Sequence, residues 1–109
     1  MDYSQLSDFE INKRVAQLHG GFALTLAVHD EPPSGKAFNP GRFDPCNSPA
    51  DAWPIIVENS ISLYAVGEDY RRGKWGAEGP KAGAPYHFDN NPLRAAMIVF
   101  LMMREKPNA

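Results

Sequence analysis

Asn91-Pro92-Leu93-Arg94-Ala95-Ala96-Met97-Ile98-Val99-Phe100-Leu101-Met102-Met103-Arg104 is the stretch that decides the fold. No polar residue interrupts it from Ala95 to Met103. Asn91 suits a helix cap, and Pro92 suits the first helical position, where its missing N–H has no helical partner to lose. Arg104, Lys106 and Pro107 mark the end. A helix that is apolar on every side must be covered on every side. A bilayer span needs roughly 20 apolar residues, and this segment is shorter. The pattern therefore predicts a core helix surrounded by the rest of the chain or by a partner subunit.

A chain of 109 residues reads as one domain, 1–109. At this size about 60–70% of the unfolded surface can be buried, enough for a core without staples. Apolar residues make up 43% and charged residues 22%, which places the chain with ordinary globular proteins. Its ten prolines and nine glycines concentrate between Pro32 and Pro49 and between Gly67 and Pro92, so long loops are expected there. A net charge of −2 argues against a dedicated nucleic-acid partner, which calls for a basic face. Cys46 is the single cysteine, which excludes an internal disulfide and a cysteine-based zinc site. Met1-Asp2-Tyr3-Ser4 shows neither a basic region nor an apolar run, so no signal peptide, no membrane partner and a cytoplasmic location are expected.

The first helix announces itself through Ser7-Asp8-Phe9-Glu10, a capping box flanked by Leu6 and Ile11 as a hydrophobic staple. Ile11, Val15 and Leu18 form its apolar stripe, and Glu10 precedes Arg14 by the spacing of a surface ion pair. Gly20-Gly21 is expected to end it. Phe22, Leu24, Leu26 and Val28 then alternate with smaller residues, which predicts a strand whose bulky face packs on the terminal helix. Residues 29–45 read as a loop with a short extended piece at Lys36-Ala37-Phe38. Ser48-Pro49-Ala50-Asp51 opens a second helix, with a kink at Pro54 or a fresh start near Asp51. Residues 61–66 alternate as a second strand, and Lys74-Trp75-Gly76-Ala77 suits a short third strand paired back on it. The expected architecture is α+β: a small, mostly antiparallel sheet of about three strands, about three helices, and a buried C-terminal helix.

Asn47-Ser48-Pro49-Ala50-Asp51-Ala52-Trp53-Pro54-Ile55-Ile56, then Ile61-Ser62-Leu63, then Asn91-Pro92-Leu93-Arg94-Ala95-Ala96-Met97, resembles small phage and prophage proteins of the NinX-like type. Ser7-Asp8-Phe9-Glu10-Ile11-Asn12-Lys13 resembles their opening. The same pattern is similar to a broader set of small phage α-β-α sandwich domains. The resemblance implies an accessory protein of temperate phage genomes, acting in the bacterial host. It brings no catalytic residue with it.

The residues themselves offer few chemical sites. His19, His29 and His87 lack metal-ligand spacing to one another or to Cys46, so no metal and no cofactor are expected. His87-Phe88-Asp89 would set an imidazole and a carboxylate on one side of an extended piece, as a base and its orienter; the simpler reading is a loop histidine and a turn aspartate. Cys46 precedes a helix start, where a thiolate can be stabilised, but a lone cysteine more often packs as a small apolar group. Ser34-Gly35-Lys36 lacks the flanking residues of a phosphate loop. Arg94 stands in the first turn of the terminal helix, where the helix dipole disfavours a cation by about 0.3–1 kcal/mol. A carboxylate such as Asp89 or Glu58 would offset that, and so would an anionic ligand shared with the free helix amides. Trp53, Trp75, Tyr64, Tyr70 and Tyr86 are a generous aromatic supply; with Arg71, Arg72 and Lys74 they suggest a single-strand platform, which Glu68, Asp69 and Glu78 dilute.

Asn47, Trp53, Trp75, Tyr86, His87 and Arg94 are the candidate ligand-binding surface, on loops around the head of the last helix. No catalytic set converges. The expected function is a non-enzymatic binder of a host or phage protein or of a small ligand. The alternative is a small enzyme acting on a nucleotide or nucleic acid through His87, Asp89 and Arg94. Because the terminal helix carries so much apolar surface, self-association as a homodimer is also expected.

Overall fold

The computed structural model describes residues 2–28, 42–67 and 71–105. His29, Ser34-Gly35-Lys36, the expected extended piece Lys36-Ala37-Phe38, and Tyr70 lie outside the described residues. A 3-10 turn at Tyr3–Gln5 leads into α1 (Asp8–Thr25). Then follow α2 (Pro49–Glu58), β1 (Ser62–Ala65), β2 (Trp75–Glu78), β3 (Tyr86–Asp89) and α3 (Pro92–Arg104). The sheet is antiparallel throughout, in the order β1-β2-β3. The α+β class and the buried last helix agree with the sequence.

Helix α3 is the centre of the molecule. It packs on the sheet, on α1 and on α2, and every side chain from Ala95 to Leu101 is at most 1% exposed. Its cover comes from within the chain: Ile11, Val15, Ala52, Ile55, Ile56, Ile61 and Ala77 share one core with it. The surplus apolar surface that motivated a dimer is therefore absent from this helix. Asn91 caps it as expected, its Oδ1 accepting from the backbone N–H of Leu93 and Arg94.

The segment after Gly20 corrects the sequence reading. Gly21 does leave the helix, with φ 76° and ψ −165°. The chain then resumes as a helical turn rather than a strand, and Leu26, Ala27 and Val28 donate back to the carbonyls of Ala23, Leu24 and Thr25. Alternation alone cannot make a strand without a neighbouring strand to pair with. Among the described residues the pairing is one bridge between Val28 and Phe43, so the good helix formers Ala23, Leu24, Leu26 and Ala27 set the local structure. The supposed core face is not buried as a set: Phe22 is 72% and Leu26 63% exposed. Leu18, expected in the α1 stripe, is also exposed. Arg14 bridges to Glu105 at 3.2 Å instead of to Glu10, tying α1 to the end of α3.

Helix α2 passes through Pro54 without restarting. Pro54 and Ala50 both face solvent, so the carbonyl that loses its N–H partner is open to water. At its far end Ser60 takes the left-handed conformation, with φ 53°. Ile61 and Ser60 donate back to Ile56 and Val57, a two-bond Schellman closure normally built on glycine. The expected hairpin partner of β1 is confirmed as β2. The third strand is β3, within the span 67–92 where a long loop is expected.

Gly73 shows how tightly β3 is held. Its φ is 148°, and a Cβ there would lie 2.6 Å from the backbone N and C of Asp89. Gly73→Ala is expected to lower stability by about 1–3 kcal/mol through backbone strain, read as a lower midpoint in urea.

Candidate functional site

Four element ends meet at the head of α3. Asp8 opens α1, the turn 44–47 precedes α2, Asp89 ends β3, and Asn91 caps α3. Arg94 reaches back across this junction. Its Nη1 donates to Asp8 Oδ1 at 2.6 Å and its Nε to Asp89 Oδ2 at 3.1 Å. Its Nη2 donates to the carbonyls of Leu6 at 2.8 Å and Ser4 at 3.3 Å. The Arg94 side chain is 13% exposed, and all three guanidinium nitrogens are engaged. The cation at the helix start is thus offset by two carboxylates, Asp89 as read from the sequence and Asp8, which the sequence reading did not single out.

A second layer of amides joins the ends. Asn12, 2% exposed in the apolar face of α1, donates to Asp44 Oδ1 at 2.7 Å and accepts from the Cys46 N–H at 3.0 Å. Asn47 Nδ2 donates to both Asp8 and Asp44. Asn91 Nδ2 donates to the Cys46 carbonyl at 2.7 Å, and the Asp44 N–H donates to Asp51. Asn12, Asp44 and Asp51 were missed. The one available signal was Asn12, a polar residue between Ile11 and Val15 on a face that must be buried.

Cys46 is fully buried, and its thiol is pushed far up, first by burial and then by the field of Asp8. It packs as a structural group. In the folded protein it is expected to resist a thiol reagent such as Ellman's, and to react at once in denaturant.

His87 and Asp89 stand two apart on β3 and share a sheet face with Trp75 and Ala77, as the extended-piece reading required. Burial, and then the Arg94 charge, pull the His87 pKa below its ordinary 6.5; Asp89 and Asp2 pull the other way. The Nε2 of His87 is buried with no hydrogen-bond partner among the described residues.

The six candidate residues do not form one surface. Asn47 and Arg94 join through Asp8, and the Arg94 charge acts on His87. Trp75 sits opposite Asp89 in the sheet register. Tyr86 belongs to the other sheet face, where it meets Phe88 edge-on at 5.9 Å, and Phe88 meets Tyr64 at 6.3 Å. Trp53 stands 61% exposed on α2. No group of three or more His, Cys, Asp or Glu side chains among the described residues is placed to hold a metal ion.

Large apolar side chains are also exposed on the helices. Phe22, Leu26, Trp53 and Val57 are between 56% and 72% exposed. Phe9, Lys13, Gln17 and Phe22 line an open groove of about 490 Å³ along α1. The Lys13 ammonium lies over the Phe9 ring at 5.9 Å. His19 and Glu58, 3.7 Å apart, tie α1 to the end of α2.

The fold and its polar junction define a small α+β domain closed around a central apolar helix. The family model described as Bacteriophage P22, NinX matches residues 2–104, and the chain belongs to that family. No curated protein and no solved structure matches it. Among the described residues no helix is long and apolar enough to cross a membrane.

Proposed function

We propose that this phage accessory protein is a non-enzymatic binder that works in the host cytoplasm by docking another protein through the outer faces of α1 and α2. The observation that carries the reading is the exposure of Phe22 and Trp53 on a chain whose core is already closed. Large exposed aromatics are the usual anchors of protein interfaces. The polar junction suits an anionic ligand poorly. It brings together Asp8, Asp44, Asp51 and Asp89 with one arginine, which already uses four of its five N–H groups on Asp8, Asp89 and the carbonyls of Ser4 and Leu6.

Site-specific photo-crosslinking in host cells tests this. A photoreactive residue at position 22 or 53 is expected to yield a discrete protein adduct, and one at Lys81, exposed in the β2–β3 connection, none. A product of twice the chain's mass identifies the partner as a second copy, the homodimer; any other mass identifies a phage or host protein. The same adduct from position 81, or no adduct at all, overturns the proposal.

A further inference from the structure

The groove along α1 owes its shape to the two glycines near its end. A Cβ on Gly20 would lie 2.6 Å from Leu24 Cδ2 and 2.8 Å from Leu24 Cβ, and Gly21 takes a φ of 76°. Glycine answers both demands. The helical turn beyond them changes direction, so that Phe22 and Thr25 line the same groove as Phe9, Lys13 and Gln17. Thr25 Oγ1 fastens that turn by donating to the Phe22 carbonyl at 2.6 Å. The Phe22 ring is nevertheless 72% exposed. One face therefore carries both a hollow and a projecting ring of a size to fill part of it.

A face of this kind is self-complementary. In an isologous contact the same patch serves both subunits, and each contact occurs twice. We propose that the occupant of this docking surface is a second copy of the chain: two α1 helices lie antiparallel about a two-fold axis, and Phe22 of each copy enters the groove of the other against Phe9. This rests on the reading of α1 and α2 as a docking surface and names its partner. The dimer forms on the outer helices and not on α3, whose apolar surface is closed within the chain.

Charge and area both suit a second copy. A face of one sign repels its own copy. Here Glu10 and Lys13 have opposite signs, and Arg14 is paired with Glu105 at 3.2 Å. Leu18, Phe22 and Leu26 at the end of α1, with Trp53 and Val57 on α2, are between 40% and 72% exposed. The contact between His19 and Glu58 at 3.7 Å links positions 18 and 57 through their neighbours, so the two sets adjoin. With about 150–250 Å² to each aromatic side chain, the five leave about 500 Å² of apolar surface in water. A homodimer of standard size hides about 800 Å² on each copy, about 65% of it apolar, which is the same area.

Sedimentation of the purified full chain across a concentration series tests this. The wild type is expected to approach the mass of two chains. Phe22→Glu and Phe9→Lys are each expected to weaken association by about 30-fold or more, the loss of an interface anchor. Both are expected to melt as the wild type does, since neither ring belongs to the core cluster. Mixed in equal amounts, the two variants are expected to regain dimers. The mixed pair keeps one ring-to-ring contact and sets a carboxylate against an ammonium in the other. A wild type that keeps the mass of one chain at every concentration overturns the inference. So does a dimer that Phe22→Glu leaves intact, or a mixture that stays monomeric. Cross-linking from position 22 in host cells separates the two failures. A monomeric chain that still yields an adduct of another mass loses only the second copy as partner. A monomeric chain with no adduct loses the docking surface as well.

Discussion

Phe100→Asp is expected to leave no folded protein at room temperature, whereas Lys13→Asp melts within a few degrees of the wild type. Phe100 is 1% exposed on the central helix, between residues that are themselves fully buried. Removing a buried phenylalanine ring costs about 3–5 kcal/mol. Placing a carboxylate among these buried apolar side chains adds several kcal/mol more, even though the guanidinium of the exposed Arg104 lies 5.4 Å from the ring centroid. A domain of this size has about 5–15 kcal/mol to lose. Lys13 is exposed on α1, and exchanging it removes only a cation–π contact with Phe9, worth about 0.5–1 kcal/mol at such a site. Circular dichroism melts of the two purified variants check the contrast. Equal melting temperatures would mean that α3 is not the centre of the core.

Arg94→Ala is expected to destabilise the protein by about 2–4 kcal/mol, the range for breaking a largely buried pair by removing one partner, reduced because Asp8 is partly solvated. The substitution strands Asp89, whose side chain is 17% exposed, and releases the carbonyls of Ser4 and Leu6. A helix-dipole argument alone predicts the opposite sign, since it removes a cation from a helix start. The number of acceptors decides: two carboxylates and two carbonyls outweigh a dipole effect below 1 kcal/mol. Arg94→Lys restores the charge without the forked geometry and is expected to recover only part of the loss. Urea unfolding midpoints of the three proteins measure the series.

The terminal helix was legible because its pattern has one physical solution. A run of nine apolar residues with a cap and a proline start can only be a covered helix, and α1 and α2 declared themselves through Ser7 and Ser48. The strands were harder, because a strand of four residues carries too few alternations to outweigh its context. Residues 22–28 alternate more cleanly than residues 86–89, yet among the described residues the former make one isolated bridge, Val28 to Phe43, and the latter a full ladder with β2. Pairing is a long-range property, and it is not written in the local pattern. The junction around Arg94 was half visible. A cation out of place on a helix demanded a partner, and Asp89 was near in sequence. Asp8, 86 residues away, became a partner only when α1 and α3 packed together. Trp53 on α2 was a candidate from the sequence, but the exposed residues at the end of α1 were not, for the converse reason: Phe22 and Leu26 pattern as core residues, and the break at Gly21 sets them outward.

On this account, the polar junction at the head of α3 serves the fold, and the apolar faces of α1 and α2 serve recognition. The direct test is partner capture at low temperature by two folded variants, Arg94→Lys and the double substitution Phe22→Glu, Trp53→Glu. The account predicts that the double variant melts as the wild type does and captures nothing. Arg94→Lys melts lower and, while folded, captures the same partner as the wild type. Capture that survives the double substitution and is lost with Arg94→Lys would contradict it.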